Sequence, residues 1–128
     1  MSDSTTNTAA KPKHVLLADD NHAIRQMLGN ILSTLGYVVA YAEDGRRALD
    51  IYMTSPDTFS LIITDICMPE MDGNELIKEI RSVDTTTPII VITGYAQPDL
   101  IREIAQNDAM LFEKPLNFEA LLTHIKSL

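Results

Sequence analysis

The sequence predicts an α/β fold, an open doubly wound parallel sheet of five strands with five helices over its two faces. Three observations predict it. Short apolar runs alternate with amphipathic segments along nearly the whole chain. The runs are apolar at successive positions, as in strands buried on both faces. Each run is separated from the next by a helix-length segment, as right-handed crossovers between parallel strands require.

His14-Val15-Leu16-Leu17-Ala18-Asp19 reads as the first buried strand. Residues 22–35 follow as a helix, with Ile24, Met27, Leu28, Ile31 and Leu35 on one face and Gly36 suited to the position just past its end. Tyr37-Val38-Val39-Ala40-Tyr41-Ala42 is the second strand. Asp44 caps a helix running to about Thr54, with Leu49 and Tyr52 turned inward, and Ser55-Pro56-Asp57 supplies turn chemistry. Ser60-Leu61-Ile62-Ile63-Thr64-Asp65 is the third strand. Asp72 and Glu75 form an Asp-x-x-Glu capping arrangement for a helix with Leu76, Ile77 and Ile80 inward. Residues 88–93 form the fourth strand, and Pro98 suits the first turn of a helix carrying Leu100, Ile101 and Ile104. Residues 109–112 are a short fifth strand. Asn117 caps the last helix, which carries Phe118, Leu121, Leu122 and Ile125 on one face. Residues 1–13 are polar and aperiodic and read as a disordered tail, leaving 14–128 as one domain.

A chain of 128 residues holds one domain with a real core and is too short for two. The formal net charge of −8, with Lys and Arg scattered, argues against direct binding to nucleic acid or an anionic membrane surface. The apolar runs are too short to span a bilayer, and the opening Met1-Ser2-Asp3-Ser4 lacks a basic segment followed by an apolar one. A cytoplasmic location is the resulting expectation. Cys67 is the only cysteine, so no internal disulfide forms.

Five strands are too few for an eight-stranded barrel. No Gly-x-Gly-x-x-Gly turn follows the first strand, which argues against a dinucleotide-binding half and for the flavodoxin-like order 2-1-3-4-5. Such sheets bind ligands at the carboxyl ends of their strands. There the sequence places Asp19-Asp20 after the first strand, Asp65 after the third, Thr93-Gly94 after the fourth and Glu113-Lys114-Pro115 after the fifth. Each piece taken singly is an ordinary strand exit, cap or surface residue. Together they bring three carboxylates, a hydroxyl and an ammonium to one edge. Crowded carboxylates repel unless a cation joins them, and all-oxygen ligation suits a hard ion such as Mg²⁺. A metal there with Lys114 beside it makes a site for a dianionic phosphoryl group, to which Thr93 can donate a hydrogen bond. No P-loop lysine motif and no nearby histidine base is present, but a carboxylate can itself be the nucleophile and form an aspartyl phosphate.

These motifs, with Asp65-Ile66-Cys67-Met68-Pro69-Glu70-Met71-Asp72-Gly73 and Thr93-Gly94-Tyr95 among them, resemble those of response-regulator receiver domains of two-component signalling, in order, across residues 14–128. The resemblance implies Asp65 as phosphoacceptor. It implies Asp20, Asp65 and the Cys67 backbone carbonyl as Mg²⁺ ligands, with Asp19 supporting them largely through water. Lys114 would contact the phosphoryl group and Asp65, Thr93 would move toward the phosphate, and the Lys114–Pro115 bond would be cis. The phosphoryl donor would be a histidine kinase or histidine phosphotransfer protein, and the reader of the signal a downstream protein. The implied role is that of a single-domain regulator or a phosphorelay intermediate, limited as chemistry to self-phosphorylation and slow autodephosphorylation.

The sequence also departs from the family. Where receivers commonly carry Tyr or Phe three residues before the lysine, Leu111 stands, and the adjacent Phe112 points to the opposite face of its strand. Tyr95 is the candidate substitute. Cys67 and Tyr95 occupy the two positions that tune phosphate loss in the family, and neither is a water-orienting acid or amide, so the aspartyl phosphate is expected to be long-lived. Asn107 replaces a common Gly before the fifth strand and is expected to tolerate the left-handed turn. Met68 and Met71 read as packing residues, Cys67 as a buried or bystander thiol rather than a redox sensor, and His14, His22 and His124 have no metal-ligand spacing. Two other classes compete. A dehalogenase-type phosphatase wants a second Asp where Cys67 stands, and a phosphorylation-independent binding module has no need to crowd three carboxylates.

Overall fold

The computed structural model describes residues 12–94 and 96–128. Strands β1 (Lys13–Ala18), β2 (Tyr37–Ala42), β3 (Phe59–Thr64), β4 (Ile89–Thr93) and β5 (Ala109–Glu113) alternate with helices α1 (His22–Thr34), α2 (Gly45–Thr54), α3 (Gly73–Arg81), α4 (Pro98–Gln106) and α5 (Phe118–Lys126). All pairings are parallel, in the order β2-β1-β3-β4-β5, as the sequence predicts.

The central strands are apolar on both faces because helices cover both. Leu16, Ala18, Ile62, Ile89 and Val91 meet Leu49 and Tyr52 of α2, Leu76, Ile77 and Ile80 of α3, and Ile104 of α4. The alternate residues, Val15, Leu17, Leu61, Ile63, Ile90 and Ile92, meet Leu28 and Leu32 of α1 and Leu121 and Ile125 of α5. Each such side chain, fully buried, contributes about 1.5–3 kcal/mol relative to exposure. Four helices start at a capping side chain: Asn21, Asp44, Asp72 and Asn117 accept the N–H groups of Ile24, Arg47, Glu75 and Ala120.

At the amino ends of the strands, Asp84 anchors the α3–β4 connection. Its carboxylate accepts the Tyr52 hydroxyl at 2.5 Å, the Thr87 hydroxyl at 2.6 Å and the N–H groups of Thr86 and Thr87 at 3.0 Å. Arg81 spans from α3 to the carbonyls of Asp84, Asn107 and Asp108.

Several expectations shift. Of the tail assigned to residues 1–13, residues 1–11 lie outside the described residues, and Lys13 already belongs to β1. Met27 and Ile101, expected inward, are 41% and 40% exposed, because Leu28 and Leu32 carry the buried stripe of α1 and Ile104 that of α4. Asn107 does not take the left-handed turn: its φ is −95°, and Asp108 has φ 53° instead. The Asn107 amide donates back to the Glu103 carbonyl at 3.1 Å and so ends α4, which moves the turn one residue on.

Candidate functional site

β1 and β3 are parallel neighbours, so the residues just past their ends lie side by side. The Asp65 N–H donates to the Ala18 carbonyl at 2.9 Å and the Asp19 N–H to the Ala42 carbonyl at 3.1 Å, which extends the ladder beyond the strands. Asp19, Asp20 and Asp65 each bring a carboxylate oxygen to one place, all within 4.8 Å of one another. Asp19 and Asp65 are buried, and Asp20 is exposed.

Asp65 is fixed on every side. Its Oδ1 accepts the Ile66 N–H at 2.7 Å, and its carbonyl accepts the Thr64 hydroxyl at 2.7 Å. Gly73, the first residue of α3, lies so close that any Cβ there would overlap the Asp65 carbonyl. Lys114 arrives from the other side. Thr93 pairs with Glu113 in the β4–β5 register, and the Lys114 N–H donates to the Thr93 carbonyl at 2.9 Å. The lysine side chain runs past Gly94 and ends with Nζ 3.2 Å from Asp65 Oδ2 and 3.9 Å from Asp19 Oδ2. Thr93 is buried at the end of β4, and the β3–β4 register places it one step beyond the level of Asp65. The Lys114–Pro115 bond is cis, as the resemblance implies.

The site is short of positive charge. Burial holds the Asp19 carboxyl above its ordinary value of 3.8, and the charges of Asp65 and Asp20 push the same way, against the Asn21 N–H and Lys114. Three oxygen donors crowded at that cost suit a hard divalent cation, so the residues present fit Mg²⁺. The Cys67 thiol is exposed and takes no part in the acidic group.

The remaining expectations sort cleanly. Leu111 packs on the α2–α3–α4 side and Phe112 on the α1–α5 side, where its ring lies 5.8 Å from that of His124. Tyr95 lies outside the described residues. His14 and His124 are not in the acidic group, and His22 Nδ1 lies 3.2 Å from the Arg25 guanidinium. Two residues at the site carried no role in the sequence reading. Asn21 caps α1, and its N–H donates to Asp19 Oδ1 at 2.9 Å. Arg25 Nη1 donates to the Asp19 carbonyl at 2.7 Å. An Asn directly before a helix is a readable cap signal. A side chain that reaches a backbone carbonyl six residues back leaves no pattern.

The family model of the response regulator receiver domain matches residues 15–126. The response regulator receiver protein CpdR of Brucella abortus is 36% identical over 117 residues, 91% of this chain and 96% of its own. Sporulation initiation phosphotransferase F of Bacillus subtilis is 32% identical, over 88% of this chain and 90% of its own. Other relatives are longer, and the match spans half of their length or less. The crystal structure of the chemotaxis protein CheY4 of Vibrio cholerae superposes with a TM-score of 0.80 at 36% identity, covering 91% of this chain and 98% of that one.

Proposed function

The chain belongs to the response-regulator receiver family, and we propose that it accepts a phosphoryl group on Asp65 in a Mg²⁺-dependent reaction and signals by a change of conformation. The observation that carries this is the meeting of Asp19, Asp20 and Asp65 within 4.8 Å, with Lys114 Nζ at 3.2 Å from Asp65.

Asp20, Asp65 and the Cys67 carbonyl would hold Mg²⁺, with Asp19 supporting them through water. The ion supplies charge neutralisation and a template for phosphoryl oxygens. An Asp65 carboxylate oxygen attacks phosphorus, an O–P bond forms, and the N–P bond of the donor phosphohistidine breaks with its electron pair returning to the imidazole. A carboxylate nucleophile has no proton to lose, so the lack of a histidine base costs nothing. Lys114 offsets the charge on the phosphoryl oxygens, and Thr93 donates its hydroxyl to one of them. The work is positioning and charge neutralisation.

The donor is a histidine kinase or a histidine phosphotransfer protein, and the reader is a downstream protein that binds only the phosphorylated arrangement. The chain acts as a switch, with self-phosphorylation and slow loss of phosphate as its only chemistry. The place of action is the cytoplasm. In keeping with this, no helix among the described residues is long and apolar enough to cross a membrane.

Intact-mass spectrometry after incubation with acetyl phosphate tests the reading. One phosphoryl adduct is expected with Mg²⁺, none with EDTA and none in Asp65→Ala. An adduct that survives Asp65→Ala, or forms equally in EDTA, sinks it. Following the same adduct after removal of the donor gives its lifetime. The exposed Cys67 offers no acid or amide to orient water, so the phosphate is expected to outlast that of rapid chemotaxis-type receivers.

A further inference from the structure

The three acids are not held alike. Asp65 is tied through its Oδ1, its carbonyl and Lys114, and Asp19 accepts the Asn21 N–H and faces Lys114. Among the described residues no hydrogen bond or ion pair holds the exposed Asp20 side chain. Its direction therefore comes from the backbone. In extended chain, consecutive side chains point to opposite sides, but past the end of β1 the chain bends at Asp20. For Asp19 and Asp20 to share one site, the peptide between them has to be held in one rotation.

That peptide's carbonyl is the one Arg25 grips, at 2.7 Å from Nη1. The bond is charge-assisted and half-buried. The rest of the loop is pinned around it. The Asp19 N–H is tied to Ala42, Asn21 caps α1, and the Arg25 N–H donates to the Asn21 carbonyl at 3.0 Å, so the residue that reaches back is itself anchored in the first turn. The second arm of the fork lies 3.2 Å from His22 Nδ1, which steadies its plane. Arg25 also adds a positive charge beside a cluster in which Asp19 and Asp65 face Lys114.

We infer that Arg25 is a positioning residue for the metal: by fixing the Asp19–Asp20 peptide it aims the Asp20 carboxylate at the Mg²⁺ site. The inference rests on the receiver reading above. Partners that orient metal ligands typically change metal affinity about 10–100-fold when removed, which sets the scale here.

The experiment is isothermal titration of MgCl₂ into the unphosphorylated chain, its Arg25→Met and Arg25→Lys variants, Asp20→Asn, and the Asp20→Asn/Arg25→Met pair, with melting curves in EDTA alongside. Arg25→Met keeps the apolar stem and loses the donor, so it should weaken Mg²⁺ binding about 10-fold, the lower end of that range. Losing one charge-assisted hydrogen bond should lower its melting temperature in EDTA by a few degrees and leave it folded at the titration temperature. Arg25→Lys, which keeps a charged donor of similar reach, should recover most of the affinity. In the Asp20→Asn background, Arg25→Met should have little further effect, because the group it aims is gone. A general structural role predicts equal losses in both backgrounds, and a long-range charge role predicts tighter Mg²⁺ binding once a positive charge beside the cation site is gone; either result would overturn the inference, as would Arg25→Met binding Mg²⁺ as tightly as the unsubstituted chain. Should Arg25→Met melt early, Arg25→Lys against Arg25→Gln decides on the same terms. If the unsubstituted chain binds no Mg²⁺, the receiver reading of the site fails and this inference with it. If it binds and only the Arg25 variants behave as native, this inference fails alone.

Discussion

Replacing Asp19 by Asn should stabilise the metal-free fold. The nearest oxygens of the three acids lie within 4.8 Å of one another, and at that limit, with an effective dielectric constant of about 20, like charges repel by roughly 3.5 kcal/mol. Asp19 has two such neighbours, Asp65 and Asp20, and one opposing contact with Lys114 at 3.9 Å, which attracts by about 4 kcal/mol on the same footing. Solvent around the exposed Asp20 and the partly exposed Lys114 screens both effects, leaving a net penalty of about 1–2 kcal/mol. The Asn oxygen still accepts the Asn21 N–H, so the substitution removes charge and little else. For a domain of this size the gain corresponds to a rise in melting temperature of about 5 °C in EDTA at neutral pH.

The pH dependence of the same penalty has a fixed sign. Burial, then the neighbouring acids, raise the Asp19 carboxyl above 3.8 in the folded chain, so the folded state holds that proton more tightly than the unfolded one. The stability this group contributes is complete below 3.8 and is lost as pH rises through the higher folded value. Hence the gap between Asp19→Asn and the unsubstituted chain should open from mildly acidic to neutral pH. Adding Mg²⁺ should close it, because binding stabilises the unsubstituted fold and favours the variant less. Circular-dichroism melts over this grid are the assay. A variant no more stable than the parent in EDTA at neutral pH, or a gap that widens toward acid, would refute the reasoning.

Four further outcomes follow from local contacts. The Asp84 carboxyl is opposed by burial but held below its ordinary value by the hydroxyls of Thr87 and Tyr52 and the N–H groups of Thr87 and Thr86, so its contribution is lost as pH falls below 3.8, a window separate from that of Asp19. Removing one of those donors with Tyr52→Phe should cost about 1.5 kcal/mol by denaturant titration. Gly73→Ala drives a methyl into the Asp65 carbonyl; it should cost about 1–3 kcal/mol and slow phosphorylation by acetyl phosphate. Asn74 has a buried Oδ1 with no partner among the described residues, so Asn74→Leu should raise stability by about 1 kcal/mol even though its amide bond to Glu103 goes too.

What the sequence made legible, and what it hid, divides along physical lines. β3 and β4 were readable because residues such as Ile62, Ile63 and Ile90 face helices on both sides and cannot be polar. Asp19, Asp65 and Lys114 were readable because a parallel sheet collects its carboxyl ends on one edge, so order along the chain becomes proximity. Periodicity could not decide whether Met27 or Leu32 of α1 was covered, since both sit near the apolar stripe and the neighbours that cover it come from distant sequence. The Tyr52–Asp84 bond joins residues 32 apart and has no spacing signature. Asp108 took the turn expected of Asn107 because the Asn amide was already engaged in ending α4.

Leu111 bears most directly on how such a switch passes its signal. It packs inward on the α4 side, and Phe112 faces α5, so neither offers Thr93 the aromatic partner common in receivers. The backbone offers another link. Lys114, which reaches Asp65, is hydrogen-bonded through its own N–H to the Thr93 carbonyl, and Thr93 is in register with Glu113. A phosphoryl group on Asp65 that drew in both the Thr93 hydroxyl and the Lys114 ammonium would therefore pull on two strand ends already tied together. β4 and β5 would move as one unit, and Leu111 and Ile104 would carry that movement into α4 through contact rather than through a swinging ring.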